Sequence, residues 1–551
     1  MSSSRYFNRI AATVLALMLI LTSAIIFLSR NESVMEVMAV SSVNMPYSQA
    51  FSHTEIMEVE INIAQNDWED ILENPLAEEY KQCDVTVNGE TYTDVAIRTK
   101  GNTSLSQVAS SDSHRYSFKI EFDHYDKNKS MDGLDKLVLN NLFCDASYVK
   151  EYIAYDIFNY MGVATPYYAF ANITINGENF GCYLALEAME DSFLERIYRG
   201  EGQLYKPESV QAGGGGGMPG MSGDSEMFER PGMPDSDEMF GGQEMPEGRD
   251  RFDRQEMSER QEMPGRGGGR EFGGFGSSGG GSDLVYTDDD SESYSDIFDN
   301  ASFKITKQDE ERVIKALEKL NAGEELERYI DVDACLRYFA AQTFIVNLDS
   351  YYSNLKHNYY LYENNGQLTM LPWDLNLAFG GFQSSSATDA VNAAIDTPMD
   401  GLEGDRPLFS KVMEVEEYQV RYHAYLREIV EGYVQNGRFA DTLSAVSSLI
   451  APYVEQDATA FYSYEEFETA VNTLEQFVLL RAESVEKQLT GEIPSYSGER
   501  TSDTVLVDAS HIDLKSMGVQ GGDGAGGKGS QDGHMFGNGP MGRGRGMWNQ
   551  E

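Results

Sequence analysis

Two low-complexity stretches decide which parts of this 551-residue chain can form a core. Residues 209–282 and 516–551 are rich in glycine, methionine and charged residues and contain almost no large aliphatic side chains. Such a composition cannot bury enough apolar surface to offset the conformational entropy that folding removes. We therefore expect a disordered insertion over residues 209–282 and a disordered glycine-rich tail over residues 491–551. The remaining chain, about 400 residues, is long enough for an enzyme with two lobes.

The chain is strongly acidic, with a formal net charge of -48. A surface of this charge repels the phosphates of nucleic acids, which excludes nucleic acid as the partner. A nucleotide pocket remains compatible with it, because such a pocket needs only a few local cations and a metal ion.

The N-terminus carries a hydrophobic segment with a basic flank. Arg5 and Arg9 precede an apolar run over residues 10–28, and about 20 apolar residues are enough to span a bilayer as a helix. Because a basic flank stays in the cytoplasm, we predict a membrane anchor over residues 1–30 and a linker over residues 31–54. Everything after Arg30 would then lie outside the cytoplasm, tethered to the cell membrane. A cleaved signal segment, which would release a secreted protein, is the alternative.

The folded regions differ in their hydrophobic periodicity. Residues 55–208 show the alternation of strands, with the hairpin turn Asn88-Gly89 and one helix over residues 145–161. Residues 283–490 show mostly helical periodicity. We expect an α+β protein with a strand-rich N-terminal lobe, a helical C-terminal lobe and a cleft between them.

The segment over residues 344–381 carries the polar residues that point to chemistry. A predicted helix ends at Asp349, Asn358 precedes the first strand of a predicted hairpin, and Asp374 follows its second strand. A phosphoryl-transfer site of the protein-kinase type needs this order, in which one Asp accepts the proton of the substrate hydroxyl while an Asn and a second Asp bind magnesium. A lone Asp after a helix is usually only a cap, so the prediction depends on the ordered set.

The same segment resembles the CotH kinase family. The matching motifs are Asn347-Leu348-Asp349, His357-Asn358 with Leu361-Tyr362, Pro372-Trp373-Asp374, and Ala378-Phe379-Gly380. Upstream, residues 97–104 resemble the Arg-x-(Lys/Arg)-Gly-Asn-(Ser/Thr)-Ser loop of that family, and residues 116–120 resemble the strand that follows it. The resemblance covers residues 55–489 apart from the insertion.

This resemblance implies an atypical protein-kinase-like fold that binds ATP with Mg²⁺ or Mn²⁺. It implies that Asp349 is the catalytic residue and that Asp374 and Asn358 are the metal ligands. Asn354 is the alternative to Asn358, because it stands five residues after Asp349, as in ordinary protein kinases. At Asn376, relatives often carry a second Asp, which puts a further metal contact there in doubt.

Four residues near the N-terminal motif are candidates for closing over the nucleotide phosphates: Arg98, Lys100, Gly101 and Asn102. The glycine would allow the backbone to approach a phosphate, and the cations would attract it. An ordinary basic turn is the alternative interpretation.

Three further residues complete the predicted nucleotide site. Lys119, on a predicted strand, is the candidate for the α- and β-phosphates. Its acidic partner is predicted to be Asp156, which falls on the apolar face of the helix over residues 145–161, whereas Glu151 is expected to face solvent. Glu187 is the candidate at the hinge that holds adenine, with a plain helix-start carboxylate as the alternative.

These observations favour an ATP- and metal-dependent kinase that phosphorylates Ser or Thr of surface or spore-coat proteins. A catalytically weak kinase-fold protein with a structural or assembly role is the alternative. A carbohydrate-active enzyme is a third possibility, since paired carboxylates also serve glycoside hydrolysis.

Overall fold

The computed structural model describes residues 45–208, 280–399 and 401–518. Strands dominate the first of these ranges and helices dominate the other two, which confirms the predicted α+β class. The predicted membrane anchor lies outside the described residues, as does nearly all of the predicted insertion. Within the described ranges, no helix combines the length and the apolar character needed to cross a membrane.

Seven strands of the N-terminal region form one sheet that closes on itself. They are β1 (Met57–Ile63), β2 (Lys81–Val87), β3 (Glu90–Lys100), β4 (Ser117–Glu121), β5 (Lys136–Asn140), β6 (Tyr168–Ile175) and β7 (Glu178–Glu187). Their order is β1-β2-β3-β4-β5-β7-β6, and β6 closes the sheet by pairing in parallel with β1. The predicted hairpin turn is confirmed, because Asn88 and Gly89 have φ of 49° and 87°, as a two-residue hairpin turn requires.

The side chains along these strands point alternately to the inner and the outer face of the closed sheet. In β1, every second residue is buried, and Val59 and Ile61 join Phe118 and Leu139 in the core enclosed by the sheet. The outer face carries the residues of opposite parity. It is therefore the outer face that is available to pack against helices and to line a site.

Thirteen helices are described in the three ranges. They are α1 (Gln65–Glu73), α2 (Thr103–Ala109), α3 (Lys150–Tyr160), α4 (Asp191–Tyr198), α5 (Ser295–Phe298), α6 (Lys307–Ala322), α7 (Leu326–Tyr329), α8 (Val332–Phe344), α9 (Ala387–Val391), α10 (Pro407–Met413), α11 (Glu416–Glu428), α12 (Arg438–Glu455) and α13 (Tyr464–Leu489). A π-helical turn, Ile429–Gln435, joins α11 to α12. A second sheet consists of β8 (Gln203–Tyr205), β9 (Tyr359–Asn364) and β10 (Gln367–Pro372), with β9 in the middle.

Helix α3 connects the closed sheet to the helical region. Tyr152 stacks on Phe170 of β6 with ring centroids 5.2 Å apart, and Phe158 contacts Tyr338 of α8 at 5.4 Å. Every residue from 150 to 158 is buried, because the helix is covered on all sides. Any charged side chain on α3 therefore needs a partner.

A buried ion pair also ties the two regions together. Arg115 Nη1 lies 2.6 Å from Asp457 Oδ2, and both side chains are completely buried. Arg115 also donates to the carbonyl oxygens of Asn141 and Phe180, both at 3.1 Å. These bonds compensate the cost of burying the charge and hold the sheet against the loop that follows α12.

The two ends of the insertion meet at one residue. The Glu208 N–H donates to Asp296 O at 3.1 Å, and the Asp296 N–H donates to Gly280 O at 2.8 Å. The chain therefore leaves and re-enters the fold at neighbouring points.

We predict that replacing residues 209–279 by a short Gly-Ser bridge leaves the fold intact, because Asp296 already holds the ends together and closing a short loop costs little. The expected change in Tm by differential scanning calorimetry is within about 2 °C. A fall of more than about 5 °C would show that the insertion stabilises the fold.

The predicted C-terminal tail needs a correction. Residues 491–518 pack against the helical region, with Ile493, Val507, Leu514 and Met517 buried in its core. Their apolar positions are spaced too irregularly for a helix or a strand, so periodicity does not reveal them. The remainder of the predicted tail, residues 519–551, lies outside the described residues.

Candidate functional site

Asp349 lies in a loop that follows α8 and is held by several hydrogen bonds. Its N–H donates to Asn347 Oδ1 at 3.1 Å, and the Ser350 hydroxyl donates to Asn347 O at 2.8 Å. Arg406, which is buried, donates through Nε to the carbonyl oxygen of Tyr351 at 2.7 Å. The loop therefore presents Asp349 in a fixed position although it lacks regular secondary structure.

Asn358 contacts Asp349 directly. Its Nδ2 donates to Asp349 O at 2.9 Å and to Asp349 Oδ2 at 3.0 Å. The residue has a φ of 57°, a left-handed conformation that Asn tolerates better than most residues. Both bonds use the amide nitrogen, so the amide oxygen remains a potential metal ligand. The competing candidate, Asn354, has an exposed side chain, and the geometry favours Asn358.

His357 contacts the other oxygen of the same carboxylate. Its Nε2 lies 2.8 Å from Asp349 Oδ1. Together with Asn358, it fixes the orientation of the Asp349 carboxylate. His357 is part of the His357-Asn358 motif, but the motif predicts no role for it.

Asp374 follows β10 in a conformation that is rare for a residue other than glycine. Its φ is 56°, and its side chain is half-buried. In the antiparallel hairpin, Tyr359 pairs with Pro372, so Asn358 and Asp374 lie at the same end of β9 and β10. Left-handed residues at such a position often mark a functional site.

A cation from the closed sheet reaches this end of the hairpin. Lys100, the last residue of β3, has its Nζ 5.8 Å from the centre of the Trp373 ring. The same Nζ donates to Asn140 Oδ1 at 2.9 Å, and Asn140 Nδ2 donates to Glu151 Oε2 at 3.0 Å. Asn140 therefore links the cation on β3 to an acid on α3.

Electrostatics show that Lys100, Glu151 and Asp374 form one cluster. Burial, and then the nearby Asp374 carboxylate, raise the pKa of Glu151 to about 7, while Asn140 and Lys100 act in the opposite direction. Burial lowers the pKa of Lys100, against the attraction of Asp374 and Glu151. The Asp374 carboxylate thus acts on both buried groups, which places Lys100 and Glu151 close to it.

The predicted pairing of Lys119 with Asp156 is wrong. Lys119 Nζ lies 2.5 Å from Glu190 Oε1, whereas Asp156 accepts a bond of 2.6 Å from the Tyr433 hydroxyl. The acid of α3 that faces the cluster is Glu151, which is 1% exposed and not solvated as expected. The signal for Glu151 was the run of apolar residues that follows it, residues 152–155, which covers every side of one helical turn and implies burial on all sides.

The other predicted residues of the N-terminal region lie apart from this cluster. Glu187 is fully buried, where it accepts bonds from Arg196 Nε at 3.1 and 3.2 Å and from the Tyr47 hydroxyl at 2.5 Å. Arg98 forms an ion pair with Glu78.

Gly101 and Asn102 form the connection between β3 and α2. Gly101 has a φ of 128°, and a Cβ there would lie 3.0 Å from Ser104 Oγ, so the turn requires glycine. Asn102 is the residue that precedes the first turn of α2. Of the four predicted loop residues, Lys100 is thus the one that belongs to the cluster.

The oxygen ligands at the hairpin end suit a divalent cation that arrives with a nucleotide. Among the described residues, no group of three or more His, Cys, Asp or Glu side chains could hold a metal alone. Magnesium bound with a nucleotide needs only one or two carboxylates, because phosphates and water supply the rest. Asp374 and the Asn358 amide oxygen fit that requirement. The buried Glu151 carboxyl lies beside this end of the hairpin, where it also accepts a hydrogen bond from the backbone of Leu375.

Comparison with known proteins tests the resemblance. A family model described as "CotH kinase protein" matches residues 97–485, which is more than two thirds of the chain. The chain belongs to this family. Among curated proteins, a CotH relative is the inner spore coat protein H of Bacillus subtilis (strain 168). It is 20% identical over 389 residues, which cover 70% of this chain and 87% of that protein.

The CotH match includes all residues of the cluster and the Asp349 loop. It ends at residue 485, so the packed segment over residues 491–518 lies outside the match.

Proposed function

We propose that this CotH protein transfers the γ-phosphoryl group of ATP to Ser or Thr hydroxyls of proteins, with Mg²⁺ or Mn²⁺ as the cofactor. The observation that carries the proposal is the junction of Lys100, Asn140 and Glu151 with the end of the hairpin that bears Asp374. An atypical protein-kinase-like arrangement has these parts: a strand lysine, a helix glutamate and a metal-binding Asp after a hairpin.

The cluster has the charges that a triphosphate requires. Lys100 would neutralise phosphate oxygens, and Glu151 would hold it in place through Asn140. Asp374 and the Asn358 amide oxygen would hold the metal ion, which, when bound, neutralises charge between the β- and γ-phosphates. The fixed positions of these groups lower the cost of reorganisation during the reaction.

Asp349 would accept the proton of the substrate hydroxyl. The hydroxyl oxygen forms its bond to the γ-phosphorus while the bond from that phosphorus to the bridging oxygen breaks, and ADP leaves. His357 and Asn358 would keep the Asp349 carboxylate oriented toward the attacking hydroxyl.

The substrates are proposed to be exposed Ser or Thr residues of surface or spore-coat proteins. The basic flank and apolar run at residues 5–28 support an extracytoplasmic enzyme held at the membrane. The name of the Bacillus subtilis relative supports a connection with the spore coat.

A second candidate is an assembly protein that has kept the family fold without efficient catalysis. It is favoured by the contacts of Asp349, whose two carboxylate oxygens both contact neighbouring side chains. A base that remains engaged in this way would accept a substrate proton poorly.

The test is phosphotransfer by the full-length protein, purified in detergent, from γ-labelled ATP to a Ser/Thr-rich acceptor, with Mg²⁺ or Mn²⁺. Asp349→Asn is expected to lower the rate by at least about 10²-fold, because it removes the base. The matched control is Asp396→Asn, since Asp396 Oδ1 lies 2.7 Å from His423 Nε2 elsewhere in the helical region. This control should stay within about threefold of wild type. Absence of transfer with either metal would favour the assembly protein, whereas full activity of Asp349→Asn would show that Asp349 is not the base.

A further inference from the structure

The packed C-terminal segment, residues 491–518, is named here the C-terminal strap. It buries Ile493, Val507, Leu514 and Met517 in the core cluster that also contains Ile153 of α3. The strap thus belongs to the hydrophobic core that supports the site.

The first half of the strap is fixed to the region around α9. Arg500 donates to Asn392 O at 2.5 Å and to Gln488 Oε1 at 3.0 Å. Asn392 and Val507 exchange two hydrogen bonds, of 2.8 and 3.1 Å. These contacts anchor the strap before it reaches the N-terminal region.

The end of the strap binds the turn that precedes α3. The Ala146 N–H donates to Met517 O at 3.1 Å. Lys150 Nζ donates to Gly518 O and to Cys144 O, each at 2.8 Å. Because the Lys150 side chain is fully buried, its charge is compensated by these carbonyl oxygens together with the nearby Asp145 carboxylate.

This turn needs external support. Leu142, Cys144 and Tyr148 have φ of 61°, 63° and 62°, and left-handed residues of this kind persist only where surrounding contacts hold them. The helix predicted to begin at Asp145 begins only at Lys150. The Asp145 carboxylate spans the non-helical segment between these two residues, since it accepts a hydrogen bond from the Lys150 N–H at 2.8 Å.

Gly518 fits closely against the turn. Its φ is 76°, and a Cβ at this position would lie 2.7 Å from Cys144 O. A larger residue would therefore push the end of the strap away from Cys144 and Lys150. By contrast, a Cβ at Gly498, also in the strap, would meet nothing within 4 Å.

We propose that the C-terminal strap positions Glu151 for catalysis, with Lys150 and Gly518 as the positioning residues. Glu151 follows Lys150 directly at the start of α3, and its 3.0 Å bond to Asn140 orients Lys100. Release of the strap would let the first turn of α3 move and break this bond. A misplacement of about 1 Å can reduce an enzymatic rate by about 10²-fold. The inference rests on the proposed kinase function.

The test compares Gly518→Val with the matched control Gly498→Val in the full-length protein. We expect kcat to fall by about 10²-fold in Gly518→Val, with a smaller change in KM for ATP, and to stay near wild type in the control. Lys150→Met should have the same effect, and the double variant should lose no more than either single variant, because both changes disrupt one contact. If Gly518→Val does not fold, as judged by circular dichroism, Lys150→Met decides.

Hydrogen exchange of the amides in α3 separates this inference from the proposed function. Faster exchange in Gly518→Val together with a lower kcat supports it. Unchanged exchange, or faster exchange with unchanged kcat, overturns it. If wild type transfers no phosphate at all, the proposed function fails and the catalytic role of the strap fails with it. A kcat lost in Asp349→Asn but kept in Gly518→Val would overturn only the strap inference.

Discussion

Asp374→Ala is expected to abolish metal-dependent binding of ATP and to lower phosphotransfer by about 10³-fold. Asp374 is the acid that follows β10, at the same end of the hairpin as Asn358, and its motif resemblance implies a metal ligand. A metal ion that stabilises the charges of phosphoryl transfer contributes several kcal/mol, and about 4 kcal/mol corresponds to about 10³ in rate. Calorimetric titration with ATP, with and without Mn²⁺, measures the loss.

The matched control for this titration is Asn376→Ala. Asn376 lies two residues further along and donates to Phe143 O at 3.3 Å. We expect it to bind ATP and metal about as well as wild type. Wild-type affinity in Asp374→Ala would remove Asp374 from the site. Equal losses of ATP affinity in both variants would mean that binding depends on the conformation of the loop and not on the Asp374 carboxylate.

Glu151→Gln is expected to have opposite effects on stability and on activity. The substitution keeps the shape of a side chain that is 1% exposed but removes its charge. Phosphotransfer should fall by at least about 10²-fold, because Lys100 loses an attractive charge that positions it. The free energy of unfolding at pH 8 should rise by about 1–3 kcal/mol.

The direction of the stability change follows from the pKa of Glu151, which burial and then Asp374 raise from 4.5 to about 7. A carboxyl with a raised pKa in the folded state binds protons more tightly than in the unfolded state. Its contribution to stability is full below pH 4.5 and is lost as the pH rises through about 7. Above that range, the ionised Glu151 costs about 3 kcal/mol, which glutamine avoids. The gain in stability of Glu151→Gln over wild type should therefore be present at pH 8 and absent at pH 4.

Denaturant unfolding at both pH values checks this prediction. The matched control is Glu187→Gln, the same chemical change at a buried Glu that pairs with Arg196. Here the loss of charge leaves a buried guanidinium without its partner, so stability should fall by about 3–5 kcal/mol. A Glu151→Gln protein that is destabilised at pH 8 as strongly as Glu187→Gln would show that Glu151 has a structural role instead.

The predicted residues around Asp349 could be found from the sequence because their arrangement is local. A helix end, a hairpin and their flanking polar residues lie within about 30 positions, and the hairpin pairing alone brings Asn358 and Asp374 together. The family motifs pointed to the same residues.

The partners of Lys100 could not be found in this way. They come from β5 and α3, and their meeting depends on how the closed sheet packs against a helix buried on all sides. For such a helix, an apolar stripe does not distinguish Glu151 from Asp156. The strap was missed because its apolar residues follow no period, and because its role depends on contacts with residues more than 350 positions away.

The most direct test of the site is phosphotransfer by wild type, Lys100→Met and Lys119→Met, measured side by side with γ-labelled ATP and Mn²⁺. The two lysines lie on strands that pair with each other, β3 and β4. Lys100 belongs to the cluster, whereas Lys119 pairs with Glu190. We predict active wild type, a loss of at least about 10²-fold in Lys100→Met, and a change within about threefold in Lys119→Met. Full activity in Lys100→Met, or a loss confined to Lys119→Met, would contradict this account.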